Sequence, residues 1–358
     1  MTTPNIYRSR ILNEISESDV GKTIRVAGWV ENIRDHGGVS FVDLRDMYGV
    51  LQVVLRDTSL LDGITKENCI SIEGVIDHRD EDTYNPKIPT GTIELEAHSI
   101  DMLGKVYHQL PFEIMTSREI REDVRLKYRY LDLRNQKVKD NIIFRSQVIS
   151  FLRQKMTEMG FLEIQTPILC ASSPEGARDY IVPSRKFKGR FYALPQAPQQ
   201  YKQLLMVSGF DKYFQIAPCF RDEDARADRS PGEFYQLDFE MSFATQEEVF
   251  RVGEEVLTAT FEKFAPEGAS VTAAPYPVIS YKIQRHISFF HNRAILHLQS
   301  ARHLIYSKYR YLWKIYYRCK SFYSVHPQIC YGECSPADVI IFELHHSRTL
   351  YYALRFCT

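Results

Sequence analysis

The sequence lacks several features that would place a protein in a membrane, a secreted or a zinc-binding class. No stretch approaches the roughly 20 consecutive apolar residues that a membrane helix needs, and the N-terminus does not have the charged-then-apolar pattern of a secretory signal peptide. The seven cysteines follow irregular spacings with no CxxC pair, which argues against a disulfide framework or a zinc site. These absences predict a cytoplasmic protein with free thiols, no membrane partner and no metal-binding residues of its own.

The net charge of the whole chain is zero, but the charges are distributed unevenly along it. The 45 basic and 45 acidic residues balance, yet residues 283–358 carry ten of the bases and three of the acids. This last segment contains one glycine, Gly332, and seven of the eleven histidines. Apolar and basic residues fall on every face of a helix drawn through it. We therefore interpret residues 283–358 as an out-of-frame or otherwise foreign terminus, with a basic arm that binds nucleic acid as the alternative.

Residues 1–105 contain short runs rich in β-branched residues, separated by turn signals. Five strands at this spacing predict a small OB-type barrel. Arg34, Phe41 and Gln52 would place a cation, a stacking ring and an amide on the face with which such barrels bind single-stranded nucleic acid. Each of these three residues, taken alone, is better explained by an ordinary core or surface position. The five runs are Ile24 to Val30, Phe41 to Leu44, Val50 to Leu55, Ile70 to Ile76 and Ile93 to Ala97.

Residues 219–243 predict a hairpin with a charged tip. In the returning strand, Phe234, Gln236, Asp238 and Glu240 alternate with the apolar residues Tyr235, Leu237, Phe239 and Met241, so the two sets lie on opposite faces. Two acids held side by side repel each other unless a cation or a donor-rich ligand lies above them. The polar face is therefore predicted to bind a ligand, with an aromatic base on Phe234, a phosphate on Arg221 and an ammonium group on Asp238.

Three segments before the hairpin have ordinary explanations. Ile149, Leu152, Met156 and Met159 form an apolar stripe on a predicted helix that ends at Gly160. Residues 172–180 form a loop rich in proline and glycine, which is usually a surface turn and has Glu175 at its tip. Gln199 and Lys202 share one face at the start of another helix, where a lone lysine is usually exposed to solvent.

The segment FRDEDARADRSPGEFYQLDFEMSF resembles motif 2 of the class II aminoacyl-tRNA synthetases, and specifically of the bacterial-type aspartyl-tRNA synthetases. Its loop is one residue longer than the commoner form, because of Pro231 and Gly232. GWVENIRDHGGVSFVDLRDMYGVLQVV is similar to the anticodon-binding barrel of that family, and GFLEIQTP resembles motif 1, which implies a homodimer. The expected fold is α+β and multidomain. It consists of an OB-type barrel at 1–105, a salt-bridged connector at 106–141 and a truncated class II antiparallel sheet with flanking helices at 142–282.

The resemblance assigns roles to individual residues. It makes Arg221 the catalytic residue, which bridges the α-phosphate of ATP and the attacking carboxylate of aspartate. Arg34, Phe41 and Gln52 would read the anticodon. The histidine at position 36 resembles the residue found there in the subgroup of these enzymes that charges both the aspartate and the asparagine tRNAs. The implied aspartate-binding residues are Glu175, Gln199, Lys202, Arg221 and Asp238, and the implied ATP-binding residues are Arg221, Asp222, Glu223, Ser230 and Phe234.

The expected reaction is the activation of L-aspartate by ATP with Mg²⁺, followed by transfer to tRNA(Asp) and, through His36, to tRNA(Asn). Residues 283–358 contain no glycine-rich motif 3, which in the family supplies a further arginine for ATP. We therefore expect impaired activity, and no strands from this segment in the catalytic sheet. Two alternatives stay open. One is an inactive tRNA-binding remnant with a working barrel, and the other is an asparaginyl- or lysyl-tRNA synthetase relative. Lys202 and the FRDEDARADR loop argue against the second.

The interpretation of residues 283–358 predicts a result at the level of the gene. Shifting the reading frame at codon 283 should restore a glycine-rich motif 3 downstream, because a frameshift leaves the original codons in place. Sequencing the genomic DNA across this codon tests the prediction. The interpretation is wrong if no frame restores the motif and the purified chain charges tRNA.

Overall fold

The computed structural model describes residues 4–173, 175–223 and 232–276, together with the backbone of 340–343 and 353–356. The chain divides into two compact units, Met1–Glu113 and Ile114–Thr358. A search of the described residues finds no helix that is both long enough and apolar enough to cross a membrane.

The first unit is a closed five-stranded barrel, as predicted. Its strands are β1 (Thr23–Asp35), β2 (Ser40–Arg45), β3 (Val50–Leu55), β4 (Cys69–His78) and β5 (Ile93–Gly104), in the order β1-β2-β3-β5-β4. Inward-facing apolar residues of all five strands form one buried core. The close approach of β1 to β2 requires Gly28, since a Cβ there would lie 2.4 Å from the carbonyl oxygen of Arg45. The barrel fold expected from the strand spacing is confirmed.

The segment predicted as a salt-bridged connector forms two short helices, α1 (Glu122–Lys127) and α2 (Arg129–Asp132), around a buried carboxylate. Asp132 is fully buried and accepts hydrogen bonds from Arg125 Nε at 3.1 Å and Ser117 Oγ at 2.8 Å. Burial alone would raise the pKa of Asp132, but these hydrogen bonds outweigh it and hold the pKa below its ordinary value. The long helix of the second unit begins at Gln136, inside the range 106–141 expected for the connector.

The second unit is built on a five-stranded sheet in the order β11-β12-β10-β9-β6. Its pairs are antiparallel except β6 with β9, which are parallel, so the expected antiparallel sheet has one parallel edge. Strands β7 and β8 form a separate hairpin. In chain order the elements are α3 (Gln136–Glu158), β6 (Leu162–Glu163), β7 (Ile181–Pro183), β8 (Phe191–Ala193), α4 (Gln199–Val207), β9 (Lys212–Phe220), β10 (Glu233–Met241), α5 (Gln246–Phe264), β11 (Ile340–Glu343) and β12 (Ala353–Phe356).

Helices α3 and α5 cover one face of this sheet. Leu152 and Met156 of α3 are completely buried and share a core with Leu237 and Phe239 of β10. Gly160 follows α3 with φ of 82°, which is the left-handed conformation predicted for the residue that ends the helix. The apolar faces of α3 and β10 are therefore those that the sequence predicts.

Strands β11 and β12 come from the segment that was expected to supply no strands. The backbone of β12 pairs with β10 from Tyr235 opposite Phe356 to Asp238 opposite Ala353, and β11 pairs with β12. The expectation is wrong for these eight residues. The physical reason is that a ladder is made by backbone groups, so a free sheet edge accepts a short extended segment even when its side-chain pattern is irregular.

Candidate active site

Strands β9 and β10 line up polar side chains on the sheet face opposite the helical core. Gln236, Asp238 and Glu240 alternate along β10, as predicted, and Gln215 lies beside them on β9. All four side chains are buried. They are buried because α4 packs against both strands and covers this face. The polar row is therefore an interior site.

Lys202 of α4 is the cation that the two acids require. Its Nζ donates a hydrogen bond to Asp238 Oδ1 at 2.7 Å and lies 3.5 Å from Glu240 Oε2. Lys202 is 1% exposed, so the expectation that a lysine at a helix start faces solvent is wrong here. Proline residues before α4 fix where the helix begins, and one turn later Lys202 lies above the sheet.

Burial dominates the ionisation of these acids. It raises the pKa of Asp238, which the charge of Lys202 and its hydrogen bond only partly oppose. Burial also raises the pKa of Glu240, to about 7, with Lys202 lowering it and the charge of Asp238 raising it further. Among the described residues, Oε2 of Glu240 accepts no hydrogen bond. One ammonium group thus serves two buried carboxylates, and Asp238 has the closer contact with it.

Tyr213 and Gln215 of β9 complete the floor, and neither was identified from the sequence. The hydroxyl of Tyr213 donates to Gln215 Oε1 at 2.7 Å, and the same oxygen accepts from Thr166 Oγ1 at 3.0 Å. Burial raises the pKa of Tyr213, so its hydroxyl stays neutral opposite Glu240 across the two strands. The alternation of β9 would have revealed both residues, since they share the face of Asp238.

The loop that carries Glu175 is held by Gln196, which was also missed. Gln196 Nε2 donates to the carbonyl of Ala177 at 2.8 Å, and Oε1 accepts from the amide of Ala177 at 3.0 Å. Arg178 Nε donates to the carbonyl of Asp222 at 2.8 Å, and the amide of Asp222 donates back to Arg178 at 2.9 Å. The loop is therefore attached both to the segment before α4 and to the end of β9, instead of forming an independent surface turn.

Glu175 shares one electrostatic environment with the other proposed aspartate ligands. Ser173 Oγ donates to its Oε1 at 3.1 Å. Burial raises the pKa of Glu175, the charges of Arg221 and Lys202 lower it, and the charge of Asp238 raises it. The structure therefore brings together four residues that are far apart in the sequence. Gln199, the fifth predicted ligand, opens α4 one turn before Lys202.

The predicted ATP-binding residues lie at the end of the hairpin. The guanidinium of Arg221 lies 5.3 Å from the ring centroid of Phe234, and the amide of Arg221 donates to the carbonyl of Gly232 at 2.8 Å. Phe234, predicted to stack on adenine, is buried beside Ala217 and Cys219. Asp222 is held by Arg178, as above. Glu223 is exposed, and Ser230 lies outside the described residues.

The barrel contains a second polar cluster at the residues predicted to read the anticodon. Arg34 donates to both carboxylate oxygens of Asp43 at 2.8 Å and to Gln52 Oε1 at 3.1 Å. Gln52 Nε2 donates to Glu94 Oε2 at 2.8 Å. Phe41 lies opposite Arg34 in the β1–β2 ladder, and His36 meets its ring edge-on at 5.5 Å between centroids. The predicted set is therefore one cluster, to which Asp43 and Glu94 are additions.

Comparison with known proteins identifies the family. The model of class II tRNA synthetases of the D, K and N group matches residues 121–333, more than half of the chain, and the model of the OB-fold nucleic acid binding domain matches residues 24–103. The chain belongs to the class II aminoacyl-tRNA synthetases. This match extends beyond residue 282. It therefore gives no support to the expected end of the family-like region at residue 282, which stays a prediction.

The curated relatives of this synthetase chain are bacterial aspartate ligases. It is 54% identical over 280 residues to the aspartate–tRNA ligase of Streptomyces coelicolor, covering 77% of this chain and 47% of that protein. It is 56% identical over 280 residues to the aspartate–tRNA(Asp/Asn) ligase of Erythrobacter litoralis, covering 77% and 46%. The chain thus spans about half the length of the curated relatives it matches.

Solved structures share the fold of this synthetase chain. Asparaginyl-tRNA synthetase from Pyrococcus horikoshii matches with a TM-score of 0.68 at 22% identity, covering 81% of this chain and 68% of that one. Aspartyl-tRNA synthetase from Entamoeba histolytica matches with a TM-score of 0.63 at 21% identity, covering 78% and 62%. At these identities the likeness concerns the fold alone.

The raised pKa of Glu240 predicts a pH-dependent stability. An unfolded glutamate ionises near pH 4.5, whereas Glu240 in the folded chain keeps its proton until about pH 7. The folded state binds the extra proton, so its stability falls as pH rises between these values. The difference in unfolding free energy between Glu240→Gln and wild type should therefore shift by about 2.5 kcal/mol in favour of the variant between pH 5 and pH 8. Chemical denaturation at several pH values measures the gain, with Glu247→Gln on the exposed start of α5 as the control. Identical pH profiles for wild type and Glu240→Gln would contradict the prediction.

Proposed function

We propose that the second unit binds L-aspartate and ATP and forms aspartyl-adenylate, as the activation half of an aspartate–tRNA ligase. The observation that carries this proposal is the buried ammonium of Lys202 above Asp238 and Glu240. A fully charged lysine in an enclosed site matches a substrate with a side-chain carboxylate. A neutral amide would leave that charge poorly compensated, so the pocket favours aspartate over asparagine.

The remaining groups fit the two ends of the substrate. Asp238 and Glu175 are acceptors for the α-ammonium, and Gln199 lies at the rim beside Lys202. Arg221 is placed to bind the α-carboxylate and the α-phosphate of ATP, whose mutual repulsion is the main barrier to the attack. A bidentate guanidinium holds both groups in one geometry and neutralises the charge that develops. The chemistry requires no covalent nucleophile from the protein.

ATP would lie along the Arg221–Phe234 edge of the hairpin, with Asp222 and Glu223 near the adenine and Ser230 in the loop. The residues that the structure describes include no group of three or more His, Cys, Asp or Glu side chains suited to a metal ion. We propose that Mg²⁺ binds together with ATP, where it would neutralise the charge of the pyrophosphate. With one glycine after residue 282, the chain offers no motif 3 opposite Arg221, and we expect weak adenylate formation.

The partners we propose follow from the family. The segment GFLEIQTP, which includes β6, corresponds to the dimer motif, and Leu162, Ile168 and Leu169 near it expose apolar side chains. A second copy of the chain is the partner that would cover them. The transfer step would use tRNA(Asp), and His36 beside Phe41 supports tRNA(Asn) as a further acceptor. We propose that the protein carries out these reactions in the cytoplasm.

Anticodon binding by the barrel is a second candidate function. The Arg34, Gln52 and Phe41 cluster supports it, because a ring beside a set of donors and acceptors can stack a base and read its edge. This function does not depend on motif 3. An inactive chain could therefore still bind tRNA.

Pyrophosphate exchange and aspartate binding test the first proposal. Exchange with Asp, Asn and Lys should be detectable only for aspartate, and weak. Lys202→Leu should weaken aspartate binding by about 2–5 kcal/mol, because it removes one member of a buried charge pair. ATP affinity, which depends on Arg221 and Phe234, should barely change.

Two controls guard against misfolding in this experiment. Lys202→Arg keeps the charge above Asp238 and should retain more aspartate binding than Lys202→Leu. Parallel loss of aspartate and ATP binding in Lys202→Leu would show that the variant has lost the site as a whole, which would contradict the assigned role.

The barrel proposal predicts that Phe41→Ala weakens binding of the tRNA(Asp) anticodon stem-loop by about 1–3 kcal/mol, through loss of one stacked base. Fluorescence anisotropy with a labelled stem-loop measures this change. Phe187→Ala removes an exposed ring from the other unit and should have no effect. Equal binding by Phe41→Ala and wild type would remove Phe41 from the interface.

A further inference from the structure

Glu240 lies in the proposed aspartate site but has no part in the reaction described above. Its side chain is 7% exposed, and Oε2 lies 3.5 Å from Lys202 Nζ. Within the described residues that oxygen accepts no hydrogen bond. A buried carboxylate oxygen without a donor is costly, so its presence beside Lys202 calls for a function.

Aspartate binding would change the partners of Lys202. In the free protein Lys202 donates to Asp238 at 2.7 Å. In the proposed complex Asp238 accepts from the substrate ammonium, and Lys202 binds the side-chain carboxylate of the substrate. The side-chain carboxylate of the substrate and the carboxylate of Glu240 would then both contact the buried ammonium of Lys202. Two like charges in such a position cannot both stay ionised without a large cost.

Among the described residues around Glu240, no second cation is available to compensate its charge. Lys202 faces it from α4, Asp238 lies two residues away on β10, and Tyr213 lies opposite on β9. Tyr213 is neutral, and its hydroxyl donates to Gln215. The loop contributes Glu175, whose charge acts on Lys202 and Asp238. Among the described residues, Lys202 is thus the cation within salt-bridge distance of Glu240.

We propose that Glu240 takes up a proton from solvent when L-aspartate binds, so that Lys202 faces one ionised carboxylate instead of two. The inference rests on the proposed function, since it needs aspartate on Lys202. Glu240 is then a positioning residue that acts through Lys202. Its pKa of about 7 in the free protein means that it is mostly ionised at pH 8 and able to accept the proton.

The test is calorimetric titration of the full chain with L-aspartate at pH 8 in phosphate and in Tris, which have different ionisation enthalpies. The difference in observed heat gives the protons taken up. We expect nearly one proton per aspartate, and a Kd that rises up to about tenfold per pH unit above pH 7. Glu240→Gln should bind aspartate without proton uptake and without this pH dependence, whereas the control Glu247→Gln should behave as wild type.

Each outcome bears on a different claim. Aspartate binding by wild type without proton uptake overturns the inference and leaves the proposed function intact. Uptake that persists in Glu240→Gln shows that another group takes the proton, which also overturns it. Failure of wild type to bind aspartate at any pH overturns the proposed function and this inference together. If Glu240→Gln does not fold, Glu240→Asp keeps the carboxylate and should retain the proton uptake, and the absence of uptake in wild type still overturns the inference.

Discussion

The ion pair between Lys202 and Asp238 is the interaction on which the second unit depends. It joins α4 to the sheet at 2.7 Å in a position that excludes solvent, and it is the reason two carboxylates can lie next to each other on β10. Removing Lys202 would leave two buried carboxylates, Asp238 and Glu240, without the cation that lies between them, which costs far more than loss of a surface pair. The same interaction fixes the roof of the site against its floor.

Other contacts of the site extend from this pair by backbone hydrogen bonds. Gln196 precedes α4 and holds the amide and carbonyl of Ala177, while Arg178 and Asp222 exchange hydrogen bonds with each other's backbone. Glu175 is thereby kept close to Lys202 and Asp238 by neighbours on both sides. Side-chain clamps on backbone atoms can constrain a loop in this way without a hydrophobic contact.

The sequence predicted local patterns well and through-space partners poorly. The five barrel strands, the two faces of β10 and the end of α3 at Gly160 follow from periodicities of two and 3.6 residues, and all are confirmed. The need for a cation above Asp238 and Glu240 was also visible, because it depends on spacing within one strand. The strand pattern did not show that Lys202 is this cation, because α4 and β10 are brought together only by tertiary packing. Gln196 and Glu94 were missed for the same reason, whereas Tyr213 could have been found from the alternation of β9. The β12 pairing was missed because a backbone ladder has no side-chain signature.

Both polar clusters hold their charges paired before any ligand is present. In the barrel, Arg34 is shared between Asp43 and Gln52, and in the second unit Lys202 is shared between Asp238 and Glu240. A ligand must therefore exchange partners with an existing network instead of filling a vacant charge. Such an exchange is favourable only when the incoming group restores the charge balance that it disrupts, because an unpaired buried ion is costly. Selectivity then comes from the balance of the whole cluster. For the proposed aspartate site, the substrate brings one ammonium and two carboxylates; Arg221 would take the α-carboxylate, and the side-chain carboxylate would join Glu240 at Lys202. Glu240, which lies farther from Lys202 Nζ than Asp238 does, is the acid proposed to lose its charge.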